Sequence, residues 1–202
     1  MKHPYAFTLL LGIVLLFGAG CQSNKETLLM GDFFTGNLVS YKNGKMDIIA
    51  SGFRGADAIE QDGDMLYVSS WPLGKVWSYN LGTQEQKELK GDFTTAADFY
   101  LDRASKQLVV PDMLESKIHF LKLNNDGTAT VTKTLDAPSK PESVCRGFDG
   151  KLYVTMINGD EPGDGGINVI DGDEVKEFCR GMNSPKGIAF VGGYLVTADE
   201  TT

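Results

Sequence analysis

"GADAIEQDGDMLYVSS", residues 55–70, sets a lone carboxylate, Asp57, at the head of a segment that then turns almost continuously apolar. Three more stretches share this build: "AADFYLDRASKQLVVPD" (96–112), "PESVCRGFDGKLYVTM" (141–156) and "PKGIAFVGGYLVTADE" (185–200). The heads of these segments, Asp57, Asp98, Glu142 and then Lys186, are 41, 44 and 44 residues apart. The leucines behind them, Leu28, Leu66, Leu108, Leu152 and Leu195, are 38, 42, 44 and 43 apart. Self-similarity at a fixed period of this length marks a repeat architecture.

Each unit has four layers. A third recurs as "NLVSY" at 37, "KVWSY" at 75, "KIHFL" at 117 and "GINVI" at 166, and charged segments such as "QKELK" and "EVKEF" follow. Gly, Asn and Asp turns separate them, so every unit reads as four short strands. Four strands per repeat is the pattern of a β-propeller blade. The inner segments "MLYVSS", "QLVVPD" and "KLYVTM" do not alternate polar and apolar, as expected of strands covered on both faces. A sandwich would alternate more cleanly. The expected fold is therefore all-β, a propeller of four-stranded blades.

The strand count does not close. Residues 28–50 supply strands two to four of one blade, 56–184 three whole blades, and 186–199 strands one and two of the next. Joining the two ends would leave one strand over. The expectation is about four blades of a ring that has six when complete, with a strained four-bladed closure as the alternative.

Residues 1–20 stand apart from this pattern. A basic Lys2, an apolar run from Ala6 to Phe17 and small residues before Cys21 form a secretory signal. The layout resembles a bacterial lipoprotein signal, in which Cys21 is lipidated. Residues 21–27 read as a short linker and 28–202 as the propeller domain. The expected location is the bacterial cell envelope, periplasmic or outer-surface, with the lipid on Cys21 the only membrane attachment. Removing residues 1–20 takes one lysine from a chain of net charge −8, and no run of Lys or Arg interrupts the acidic surface. Nucleic acid is thereby disfavoured as a partner. A small-molecule ligand or an envelope protein remains.

First strands lie nearest a propeller's axis, so Asp57, Asp98 and Glu142 are expected to converge at the mouth of its central channel. Converging carboxylates repel one another unless a cation compensates. Oxygen ligands from separate loops suit Ca²⁺, with Mg²⁺, Mn²⁺ or Zn²⁺ as alternatives. The alternative role for each acid is a backbone cap after a turn. The loop "NGDEPGDGG" (158–166) belongs on the same face, where Asp160, Glu161 and Asp164 are candidates for ligand binding or simply solvate the tip. Trp71, in the loop after a second strand, is a candidate to stack on a ligand, and Phe33 and Phe34 occupy the corresponding loop of the first blade. Trp77 reads as core.

The segments "SPKGIAFVGGYLVTAD", "PESVCRGFDGKLYVT" and "GADAIEQDGDMLYVSS" resemble the gluconolactonase and senescence-marker-protein family of six-bladed propellers and the related NHL-type repeats. The resemblance covers about residues 28–199. It implies one divalent cation on the axis, held by a Glu, Asn and Asp set and used to hydrolyse sugar lactones. By position Glu142 matches the family's Glu, and Asp57 or Asp98 its Asp. Lys186 stands where the family has its Asn ligand, and an ammonium there competes with a metal for the same carboxylates. If catalytic, Asp57 or Asp98 would serve as general base beside the metal. If Lys186 pairs with Glu142 or Asp98 instead, the mouth is a polar cluster suited to binding.

Other chemistry is nearly absent. His3 falls in the signal and His119 is alone on a third strand, so no Ser/His/Asp triad or His-rich zinc site assembles. Cys145 and Cys179 fall on the first and fourth strands of one blade, three intervals of ~4.8 Å apart, roughly 14 Å. A disulfide needs Cα atoms within ~7 Å, so no bridge is expected.

Overall fold

The computed structural model describes residues 27–158 and 161–200. The repeat becomes a series of antiparallel meanders in which each strand pairs with its neighbour in sequence. The first sheet holds β1 (Leu28–Gly31), β2 (Asn37–Lys42) and β3 (Lys45–Ser51). The second holds β4 (Ala56–Asp62), β5 (Met65–Ser70), β6 (Lys75–Asn80) and β7 (Gln86–Leu89). The third runs β8 (Tyr100–Asp102), β9 (Gln107–Asp112), β10 (Lys117–Leu123) and β11 (Ala129–Asp136). The fourth runs β12 (Lys140–Arg146), β13 (Leu152–Ile157), β14 (Gly165–Asp171) and β15 (Glu174–Met182), and β16 (Pro185–Val191) then pairs with β17 (Tyr194–Asp199). Three complete four-stranded blades thus lie between a three-stranded and a two-stranded one. No helix occurs among the described residues.

Local chemistry sets the hairpins. Asn43 and Gly44 join β2 to β3 with φ of 54° and 79°, and Gly192 and Gly193 join β16 to β17 with 58° and 91°. Two successive positive φ values give the turn whose twist matches that of paired strands.

Blades pack face to face through apolar side chains. Leu66, Val68, Trp77 and Tyr79 of the second blade meet Leu38 of the first and Phe53 of the intervening loop. Phe53 sits edge-on to Trp77 and Tyr79, with ring centroids 5.5 and 6.0 Å away. The other face of the second blade, through Tyr67, Val76 and Leu89, packs on Phe99, Leu108, Leu121 and Leu123 of the third. Val109, Ile118 and Phe120 of the third then meet Val144, Val154 and Ile170 of the fourth. Adjacent residues of β5 and β9 therefore point into different interfaces, and both interfaces are apolar and buried. This is why their sequences do not alternate. Burying a side chain of this size contributes ~1.5–3 kcal/mol.

Polar staples add direction between blades. Arg103 of the third blade pairs with Glu60 of the second at 2.7 Å, and Arg146 of the fourth with Asp102 of the third at 2.7 Å. Cys145 on β12 and Cys179 on β15, at opposite edges of one sheet, are both free. Cys21 and Asp160, the expected lipidation site and one expected ligand-binding acid, lie outside the described residues.

Candidate functional site

A β-bulge occurs at the start of three first strands. Pairing shifts between Ala56 and Ile59, between Pro141 and Val144, and between Pro185 and Ile188. A bulge bends its strand and re-aims the side chains it carries. The residues displaced in this way include Asp57, Glu142 and Lys186. Hydroxyls from the neighbouring second strands take up backbone N–H groups freed by the bulge, which could not be left unpaired. Ala58 N–H donates to Ser69 Oγ at 3.1 Å, and Ser143 N–H donates to Thr155 Oγ1 at 3.0 Å. Thr155 Oγ1 in turn donates to the carbonyl of Lys186 at 3.0 Å, tying β13 to the next blade.

A second tier comes from the ends of the second strands. Five residues beyond the repeat leucines stand Phe33, Trp71, Met113, Ile157 and Glu200. The two tiers enclose a cavity of about 240 Å³ lined by Phe33, Asp57, Trp71, Met113, Glu142 and Lys186. Five of these, Phe33, Asp57, Trp71, Glu142 and Lys186, are residues that the sequence nominates. Met113 and Glu200 are not, although counting from Leu108 and Leu195 reaches both.

Asp98 takes a different position. Gln61, the partner of Leu66, lies four positions on from Asp57, and Arg146, the partner of Leu152, four positions on from Glu142. Leu101, the partner of Leu108, lies only three positions on from Asp98. Asp98 therefore enters one residue deeper, and Ala97 occupies the tier of Asp57 and Glu142. Its backbone bridges Ser143, and its Oδ2 accepts the Ser143 hydroxyl at 2.5 Å. Ile188 N–H donates to the same Ser143 Oγ at 3.2 Å, so one hydroxyl links three blades below the cavity floor. Asp164 is exposed and outside the cavity lining, on a loop held where Gly163 N–H donates to Asn183 Oδ1 at 3.0 Å.

The charges do not balance. Lys186 Nζ lies 3.8 Å from Glu142 Oε1 and 3.5 Å from Glu200 Oε2. Glu142 Oε2 is buried with no hydrogen-bond partner. Withdrawal from water pushes the Glu142 carboxyl above its ordinary range, Lys186 offsets part of this, and Asp57, Asp98 and Glu200 add to it. Asp57 is also pushed up by its surroundings, again partly offset by Lys186. Asp98 is pushed to about 6 by burial, against its hydrogen bond from Ser143 and with the charges of Asp57 and Glu60.

These residues fit a divalent cation poorly. The Asp98 oxygen is engaged with Ser143, an ammonium stands beside Glu142, and no group of three or more His, Cys, Asp or Glu side chains is arranged to hold a metal among the described residues.

No protein-family model matches this chain, and no curated protein matches it in sequence. Solved structures do. A protein carrying a provisional gluconolactonase assignment superposes with a TM-score of 0.68 at 16% identity, over 86% of this chain and 67% of its own. A chain of a nidogen–laminin complex superposes at 0.67 and 17% identity, over 86% and 70%. Virginiamycin B lyase from Staphylococcus aureus superposes at 0.65 and 14%, over 87% and 60%. The chain thus spans between 60% and 70% of these proteins. Likeness at such low identity defines the fold: the four sheets and the final hairpin are blades of a β-propeller.

Proposed function

We propose that this protein is an exported, envelope-anchored β-propeller that binds a small ligand in its axial mouth. The observation that carries this reading is the cavity itself. Six side chains from six separate segments meet around 240 Å³, and the lining combines aromatic, acidic and basic groups. That volume lies just below the ~300–1,000 Å³ usual for drug-sized ligands and suits a smaller molecule. Export and the lipid on Cys21 rest on the sequence of residues 1–21.

The resemblance to gluconolactonases supports a lactone hydrolase on the same site, and the unpartnered Glu142 oxygen is the feature in its favour. Lys186 is the feature against it, because its ammonium competes with a metal for the same carboxylates. Binding without catalysis is therefore the reading adopted.

Thermal unfolding separates the two. Sugars, sugar lactones and small amines are each added to the metal-free protein, then Ca²⁺, Mg²⁺, Mn²⁺ and Zn²⁺ in turn. A ligand that binds only the folded state raises the midpoint by mass action, ~2.7 kcal/mol at a hundredfold excess over Kd. Binding predicts a rise with an organic ligand in EDTA that Trp71→Ala removes. A rise only with a divalent ion, lost in Glu142→Gln, would restore the metal-dependent hydrolase.

A further inference from the structure

The mouth is an anionic site with aromatic walls. Asp57 and Glu142 line it and Glu200 borders it, while among the described residues Lys186 is the only cationic side chain in the lining. Asp98 lies one residue below. A neutral sugar would leave this excess of negative charge uncompensated, and an anionic ligand would add to it. A metal ion needs several oxygens converging on one point, an arrangement these residues lack. Nor would a metal use Trp71, Phe33 and Met113, which form the apolar side of the cavity. A ligand that carries one positive charge on a small apolar body uses both halves. Its charge is attracted to the negative face of an aromatic ring as well as to carboxylates.

Resting on the reading of this cavity as a ligand site, we propose that its ligand is a small organic monocation, a primary or quaternary ammonium, seated against Trp71 and Phe33 with Asp57 and Glu142 as counter-charges, and that Lys186 is the internal competitor that it displaces. Lys186 is placed for that part. Its ammonium holds Glu142 and Glu200 only at 3.8 and 3.5 Å, beyond hydrogen-bond length, and its side chain is 40% exposed. Loosely held and partly in water, it can swing outward at little cost. Glu142 Oε2, buried and unpartnered, is left as an acceptor for the incoming charge. Burial raises the carboxyls of Asp57 and Glu142, and Lys186 offsets only part of that rise.

Choline and 3,3-dimethylbutan-1-ol have nearly the same shape and differ in charge, which makes them the probes. The chain has two tryptophans, and Trp77 is buried, so Trp71 emission in a Trp77→Phe background reports on the mouth. The midpoint shift of the unsubstituted full chain reports the same equilibrium should that background fold poorly. At constant ionic strength, choline should bind saturably and at least tenfold more tightly than the alcohol. Glu142→Gln should weaken choline at least tenfold. Lys186→Met should tighten it about tenfold, whereas a site for anions would be weakened by the same change. Equal binding of the alcohol, or weaker choline binding in Lys186→Met, overturns the proposal. Saturable binding of a sugar or lactone without choline binding overturns the cation while leaving a ligand site in the mouth. Failure of choline and of every sugar, lactone and amine tested overturns both.

Discussion

The Ser143 hydroxyl donates to Asp98 Oδ2 at 2.5 Å across the boundary between the third and fourth blades. The bond does not fully offset what burial costs the carboxylate, whose pKa stands at about 6 instead of 3.8. The folded protein thus holds this proton more tightly than the unfolded chain does. For a raised acid, the contribution to stability is greatest below pH 3.8, falls as pH rises toward 6 and is lost above it. Replacing Asp98 with Asn removes the charge and keeps an acceptor for Ser143. Asp98→Asn should be more stable than wild type at pH 7.5 by about 1–2 kcal/mol, after a discount for the partial exposure of Asp98. The difference should shrink toward zero near pH 4. Urea titrations of both proteins across that range measure it, and a difference independent of pH would refute the assignment.

At the end of β9, Asp112 is fully buried and gathers the loop that leads to Asp98. Thr94 N–H donates to Oδ2 at 2.7 Å, and Thr95 N–H and Oγ1 donate to Oδ1 at 3.0 and 2.9 Å. Asp112→Ala should cost about 2–4 kcal/mol, because buried donors lose their acceptor. His119 Nε2 stands 3.9 Å from the same carboxylate, too far for a hydrogen bond, while its other ring nitrogen meets Thr134 Oγ1 at 3.1 Å. Burial holds the His119 pKa below 6.5, with Asp112 pulling the other way and Lys117 reinforcing the shift. For a depressed base the unfolded chain binds the proton more tightly, so stability is lost as pH falls below 6.5. His119→Gln should flatten the loss between pH 7 and 5. Its direction is opposite to that of Asp98, so the two variants should bend the stability profile in opposite senses.

The repeat made the blades legible because one physical constraint produced it three times over. Leu66, Leu108 and Leu152 are each buried between sheets. The positions of Asp57, Glu142, Trp71 and Lys186 followed from the same period. Asp98 did not follow, because spacing to the next leucine mixes two quantities: depth in the strand and length of the intervening turn. Two residues separate the paired ends of β4 and β5, four those of β8 and β9, and five those of β12 and β13. Those turns face away from the mouth and vary freely, so equal spacing to a leucine does not mean equal depth. The Ser143 relay was hidden for another reason. It joins residues 45 apart on different blades, and a serine in a strand start carries no signal of its own.

The two tryptophans supply the sharpest contrast between site and scaffold. Trp77 is 6% exposed and meets Phe53 edge-on at 5.5 Å within the interface of the first two blades. Trp71 is half-buried in the wall of the mouth, six residues earlier in the chain. Truncating a buried aromatic removes its transfer energy and leaves a cavity, so Trp77→Ala should cost about 3–5 kcal/mol. Trp71→Ala opens a space that is already continuous with solvent, and should cost about 1 kcal/mol or less. Its effect should fall instead on affinity for whatever ligand shifts the midpoint of the wild-type protein. Chemical denaturation of both variants, paired with the same ligand titration, measures the two quantities separately. A Trp71→Ala loss as large as that of Trp77→Ala, with ligand binding unchanged, would make Trp71 a seal between blades and remove it from the site.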